Sequence, residues 1–83
     1  QRKIYTDKYK VEDKMKELLD RFNNTNIIEF RTIIKESESK LETVVTFLAL
    51  LELIKLRVII AYQEGNFKEI LMKRRVEHEQ YRH

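Results

Sequence analysis

The chain has no cysteine, no proline and no tryptophan, and its 83 residues include only one glycine and two histidines. Without cysteine there is no disulfide framework, no thiolate zinc site and no cysteine nucleophile. With Gly65 as the sole glycine, a glycine-rich phosphate loop is excluded. His78 and His83 lie in a charged tail and are expected to be solvated, not metal ligands. Long apolar runs are missing too. The greasiest segment, Val44 to Leu56, is broken by Thr46, Glu52 and Lys55, so it is too interrupted for a membrane span. The polar, basic start lacks the apolar core of a signal peptide. Because the chain begins at Gln1, it reads as a fragment of something longer.

What is present points to one small folded domain. Leu, Ile, Val and Phe make up about a third of the chain, well above the level typical of disorder. Charged residues account for 37 %, with 17 basic against 14 acidic and a net charge of +3. Both signs are spread evenly, so the basic pI is poor evidence for nucleic-acid binding.

Residues 1–10 read as the end of a linker. From Val11, the spacing of Val11, Met15, Leu18, Leu19 and Phe22 predicts an amphipathic helix, with Glu12 and Asp13 suited to its first turn. Lys10 is a poor N-cap, and Asn23 to Asn26 end the helix. Ile27-Ile28 suits a brief strand, and Phe30, Ile33 and Ile34 mark about two turns of a second helix. Ser39 with Glu42 matches a capping box for a third helix, Lys40 to Leu56. Val58 to Gln63, a turn at Glu64-Gly65-Asn66, and Phe67 to Met72 read as a β-hairpin. Three helices followed by a two-stranded wing give an α+β, winged-helix fold over residues 11–72, with Ile27-Ile28 as a short third strand. Residues 73–83 are expected to form a charged tail.

The third helix carries the functional signal. A winged helix that reads DNA needs Arg, Lys, Asn, Gln or Ser on the outer face of this helix. From Leu41 to Leu56, eleven of sixteen residues are apolar, and the other five do not gather on one face. A helix apolar all round should be covered all round. Val45, Ala49, Leu53 and Leu56 are expected to face the core, with Leu41 and Leu48 at its edge. The opposite strip, Val44, Phe47, Leu51 and Ile54, is then exposed in the isolated domain and marks a partner site. The plain alternative is that the first helix and the N-terminal arm cover the strip as ordinary core.

Other features are weaker. The acidic pairs Glu36/Glu38 and Glu77/Glu79 lack a pocket-forming context and read as solvated surface. Lys73-Arg74-Arg75 is able to touch DNA phosphates, but such a run more often is a solvated strand end, here partly neutralised by Glu77 and Glu79. No nucleophile stands with a base, so no enzyme activity is expected.

The run from Val44 to Lys55, Val-Val-Thr-Phe-Leu-Ala-Leu-Leu-Glu-Leu-Ile-Lys, resembles the C-terminal winged-helix domain of the segregation and condensation protein A (ScpA) family, the prokaryotic kleisins. Gln63-Glu64, Phe67 and Glu69-Ile70 extend the likeness, as do Val11 to Met15 and Ile28, Phe30, Ile33 and Ile34. The resemblance implies a non-catalytic module that docks on the ATPase head of an SMC protein in prokaryotic condensin. It implies Phe47 and Leu51, then Val44 and Ile54, as head contacts, with Gln63 and Phe67 adding less. For those two the plain readings are that Phe67 plugs the hairpin onto the core and that Gln63 satisfies turn amides. ScpB is implied as a partner of regions outside this chain, with DNA reached only indirectly through the complex. No cofactor, small-molecule ligand or membrane is implied, and the setting is cytoplasmic and nucleoid-associated. The competing readings are a winged-helix DNA-binding regulator and a homodimerisation domain using the same strip.

Overall fold

The computed structural model describes residues 9–76. The elements run α1 (Val11–Asn24), β1 (Ile27–Glu29), α2 (Phe30–Lys35), α3 (Lys40–Lys55), β2 (Ile59–Tyr62) and β3 (Leu71–Arg74). Three helices and a small antiparallel sheet form the winged-helix arrangement expected. Ile27-Ile28 does form the third strand. The sheet order is β1-β3-β2, so the last strand in sequence is the central one. Ile28 pairs with Met72, which pairs with Ala61. Expectations that concern residues 1–8 and 77–83, including both histidines, lie outside the described residues.

In α1 the anticipated stripe turns inward. Leu18 and Phe22 are buried, while Val11, Met15 and Leu19 pack against the core partly buried. Lys10 makes no side-chain cap, as its chemistry implies. At the far end the Thr25 N–H donates to the Arg21 carbonyl, and the Asn24 side chain donates to the Asp20 carbonyl at 2.8 Å. The short polar side chain competes for a backbone acceptor and helps end the helix.

The start of α3 is the most tightly specified junction. Ser39 Oγ accepts the Glu42 N–H at 3.0 Å, which satisfies one orphan donor of the first turn. Glu42 reaches back to accept the Glu38 N–H at 2.9 Å, one residue before the cap. Its other oxygen accepts from Lys14 Nζ at 2.8 Å, and Lys14 also meets Glu17 at 2.9 Å. The box thus closes locally and pins α3 to α1.

The end of α3 is a Schellman motif. The Val58 N–H donates to the Leu53 carbonyl and the Arg57 N–H to the Ile54 carbonyl, both at 2.9 Å. This geometry places Arg57 in the left-handed region, with φ 63, where glycine is usual.

The core gathers Leu18, Phe22, Ile28, Ile33, Ala49, Leu50, Leu53, Ile59 and Met72 from every element. The inward side of α3 is Val45, Thr46, Ala49, Leu50 and Leu53. This corrects part of the expected helix phase. Leu56 is 55 % exposed and Leu48 47 % exposed, whereas Leu50 is buried. Leu56 is the C-cap, where the chain already turns out of the helix, so its side chain no longer follows the wheel. The hairpin differs as well. β3 begins at Leu71, not Phe67, and runs two residues past Met72 to Arg74. Phe67 has φ 64, which no strand residue adopts, so pairing starts only after the loop.

The Glu38 N–H and then the Lys14 ammonium hold the Glu42 carboxyl below its ordinary 4.5. Burial opposes the charge on Lys14, but hydrogen bonds to Glu42 and Glu17 outweigh it and raise its pKa. A depressed carboxylate contributes stability that is present above its ordinary value and lost as pH falls through the folded one. The raised lysine contributes stability that is present below 10.5 and lost as pH rises through its folded value. Thermal melts should therefore show Tm falling as pH drops below about 4.5, with a flatter acid limb in Glu42→Gln. Ser39→Ala should cost about 1 kcal/mol at neutral pH, a fall of roughly 4–8 °C in Tm for a domain of this size.

Candidate functional site

The outward side of α3 carries Val44, Phe47, Leu48 and Leu51 at i, i+3, i+4 and i+7, a single stripe along the helix. They are 53, 44, 47 and 46 % exposed. Each is a large apolar side chain already half-covered by its neighbours, so a partner would remove the remaining half from water. At full burial worth roughly 1.5–3 kcal/mol per side chain, half of it leaves about 1 kcal/mol each for docking. No basic or amide side chain interrupts the stripe, so it offers no donors to base edges or phosphates.

Ile54 does not belong to this stripe. It is half-buried and packs against the core, and Leu48 takes its place outside. The substitution follows from helix geometry: Leu48 lies one turn from both Val44 and Leu51, and Ile54 one turn from buried Leu50. Leu48 was recoverable from that spacing once the direction of the core was known.

Two hollows flank the stripe. Toward the start of α3, an open groove of about 730 Å³ is lined by Tyr9, Lys10, Val11, Leu41, Val44 and Leu48. On the other flank the Phe47 ring meets Phe30 edge to face, with centroids 6.1 Å apart and planes at 73°. This is a favoured geometry for aromatic pairs. Phe30 then lines a second hollow of about 410 Å³ with Ile34, Gln63, Phe67 and Ile70. Ile70 is also exposed, by somewhat less than half. Apolar side chains therefore extend from α3 across Phe30 toward the wing, beside the charged Arg31, Lys68 and Glu69. Phe30 counted only as a helix marker in the sequence, because nothing in its spacing reveals the contact with Phe47.

Of the two wing residues, Phe67 departs from its plain reading, while Gln63 bonds the turn backbone much as its plain reading has it. Phe67 does not plug the core: it is fully exposed, at 102 %. It stands at the third position of the turn Gly65 to Lys68, closed by the Lys68 N–H donating to the Gly65 carbonyl at 3.2 Å. That position, with φ 64, favours glycine or asparagine. Gln63 Nε2 donates to the Lys68 carbonyl at 2.7 Å, so it satisfies a turn carbonyl and braces the loop. At the edge of the wing, Arg31 meets Glu69 at 3.4 Å.

A polar crevice between α1, α3 and the segment before α3 holds Lys14, Arg21, Glu36, Glu42, Ser37 and Thr46. Both guanidinium arms of Arg21 bond the Glu36 carboxylate, the second at 3.2 Å. The crevice is structural in character, with its carboxylates engaged by cations. Among the described residues, no group of three His, Asp or Glu is placed to hold a metal. No described helix is long and apolar enough to cross a membrane.

Comparison with known proteins identifies relatives over most of the chain. The family model described as segregation and condensation protein ScpA matches residues 1–74. A segregation and condensation protein A from Clostridium botulinum (strain Alaska E43 / Type E3) is 49 % identical over 75 residues, covering 90 % of this chain and 30 % of the relative. One from Clostridium acetobutylicum is 51 % identical over 72 residues, covering 87 % of this chain and 29 % of the relative. One from Thermoanaerobacter sp. (strain X514) is 43 % identical over 70 residues, covering 84 % and 29 %. The chain thus spans about 30 % of the length of the curated relatives it matches. With a winged-helix fold, an apolar-backed third helix and this match over nearly its whole length, the chain belongs to the segregation and condensation protein A family, the prokaryotic kleisins, and corresponds to that family's C-terminal winged-helix domain.

Proposed function

We propose that this domain is a non-catalytic docking module that binds the ATPase head of an SMC protein and so tethers a kleisin within the condensin complex that segregates and condenses chromosomes. The observation that carries the reading is the half-exposed stripe of Val44, Phe47, Leu48 and Leu51 on a helix whose other side is core. Phe47 and Leu51 are central to it, flanked by Val44 and Leu48, with Phe30 and Phe67 extending the contact toward the wing. Ile54 and Gln63 act indirectly, Ile54 by packing α3 on the core and Gln63 by bracing the wing loop.

The contact is apolar, so it should survive moderate salt, unlike a phosphate-dominated one. Family membership adds ScpB as a partner of the remainder of the full-length protein and a nucleoid-associated setting in the cytoplasm. The regulator reading is disfavoured because the helix that would enter the major groove presents aliphatic and aromatic side chains there.

Titration calorimetry of the chain with a purified SMC head should give a one-to-one complex whose affinity changes little between about 0.1 and 0.5 M salt. Phe47→Arg and Leu51→Arg should each weaken it by at least about a hundredfold, since a charge would be buried without a partner. Both sites are almost half exposed, so each variant should stay folded, with Tm within a few degrees of wild type. Undiminished binding by either variant would overturn the reading. Phe67→Gly separates fold from docking: it relieves the left-handed strain, keeping Tm level or raising it, while weakening head binding several-fold.

A further inference from the structure

Arg57 occupies a place where arginine costs the fold. The Schellman turn after α3 requires a left-handed residue, and the chain puts a long cationic side chain there instead of glycine. The side chain lines a shallow hollow of about 330 Å³ with Leu56, Val58, Arg74 and Arg75. The Arg75 N–H donates to the Val58 carbonyl at 2.9 Å, which fixes the end of β3 beside the turn. Arg74 donates to Asn23 Oδ1, a neutral acceptor that orients the guanidinium without offsetting its charge. No acidic residue lines the hollow. None of the three arginines forms an ion pair among the described residues.

Three guanidinium groups thus stand around one hollow with no acid among the described residues that line it, a positive patch open to an anion. The negative end of the α3 dipole favours one nearby cation. Lys55 already stands in the last turn of α3, and the dipole accounts neither for Arg75 nor for the strained backbone at Arg57. A left-handed backbone at a residue able to bind an anion is a reason to look for a site there.

We propose that Arg57, Arg74 and Arg75 form a binding site for the phosphodiester backbone of duplex DNA, separate from the docking stripe. Guanidinium forks match phosphate oxygens, and contacts to phosphates position a protein on DNA without reading sequence. The choice of DNA over another polyanion rests on the chromosomal reading above. Arg57 lies past the C-terminal end of α3, beyond Leu51, the last residue of the stripe, so the two surfaces share no side chain. This is winged-helix DNA contact from the foot of the sheet, with α3 left to the protein partner.

The test is fluorescence anisotropy of a short labelled duplex titrated with the chain, from about 50 to about 200 mM salt. The wild type should bind at the level of non-specific complexes, roughly 10⁻⁴–10⁻⁶ M, with affinity falling steeply with salt. The double variant Arg74→Gln/Arg75→Gln should lose at least about tenfold in affinity and about two from the slope of log affinity against log salt. A charge-matched control, Lys16→Gln/Lys35→Gln on exposed lysines of α1 and α2, should stay within about twofold of wild type. Arg57→Gly should weaken DNA binding while raising Tm, a split that a purely structural arginine would not give. Absence of binding at low salt, an equal loss in the charge-matched control, or unchanged binding by Arg57→Gly would each overturn the proposal. So would displacement of the duplex by millimolar inorganic phosphate or by a poly-glutamate peptide at matched ionic strength, which would make a free anion or an acidic protein the occupant. The measurement involves no SMC head, so its failure leaves head docking to stand or fall on calorimetry.

Discussion

The structure turns on a mismatch between the apolar surface of α3 and the mass available to cover it. Val45, Ala49, Leu50 and Leu53 are sealed by α1, α2 and the sheet, with Ala49 wholly buried. α1 supplies Leu18 and Phe22, and the strands supply Ile28, Ile59 and Met72. Nothing remains among these elements to wrap the opposite side, and Val44, Phe47, Leu48 and Leu51 stay in contact with water. Burying one side of such a helix organises the domain; leaving the other side open is what the proposed docking rests on.

Much of this architecture was legible in residue spacing. The stripe from Val11 to Phe22 announced α1, because its polar face is distinct and sets the phase of the helix. Ser39 and Glu42 announced the start of α3, because capping chemistry is local and a few residues suffice to specify it. The phase of α3 was less legible for the converse reason. Apolar residues on all sides contain no vector pointing at the core, so spacing alone sets Leu48 and Leu56 too close to it and leaves Leu50 without a side. The wing was misjudged at Phe67, where an aromatic followed by alternating residues imitates a strand. Its backbone lies outside the extended region, and a turn pattern that usually names glycine gave no warning.

The surface divides into two chemistries held apart by the helix that joins them. Along the middle of α3 the exposed groups are aliphatic and aromatic. Beyond its C-terminus, the hollow among the described residues is lined by three arginines and no acid. Two left-handed residues, Arg57 and Phe67, mark the two ends of the hairpin. Each places a large side chain where glycine would be the more stable choice, and each projects that side chain away from the core. The left-handed backbone at both positions has a cost that burial does not offset, since neither side chain joins the core.

The central position of β3 carries a further consequence for synthesis. β1 and β2 lie on either side of it and make no ladder with each other, so neither gains a neighbour until the last strand has emerged. Met72, among the most enclosed side chains, also arrives late and joins residues made much earlier. A nascent chain that stops short of Arg74 would present two orphan strand edges and an unfilled interior to chaperones and proteases. Emergence of β3 and completion of the sheet thus coincide, and products truncated before it would be culled unfolded.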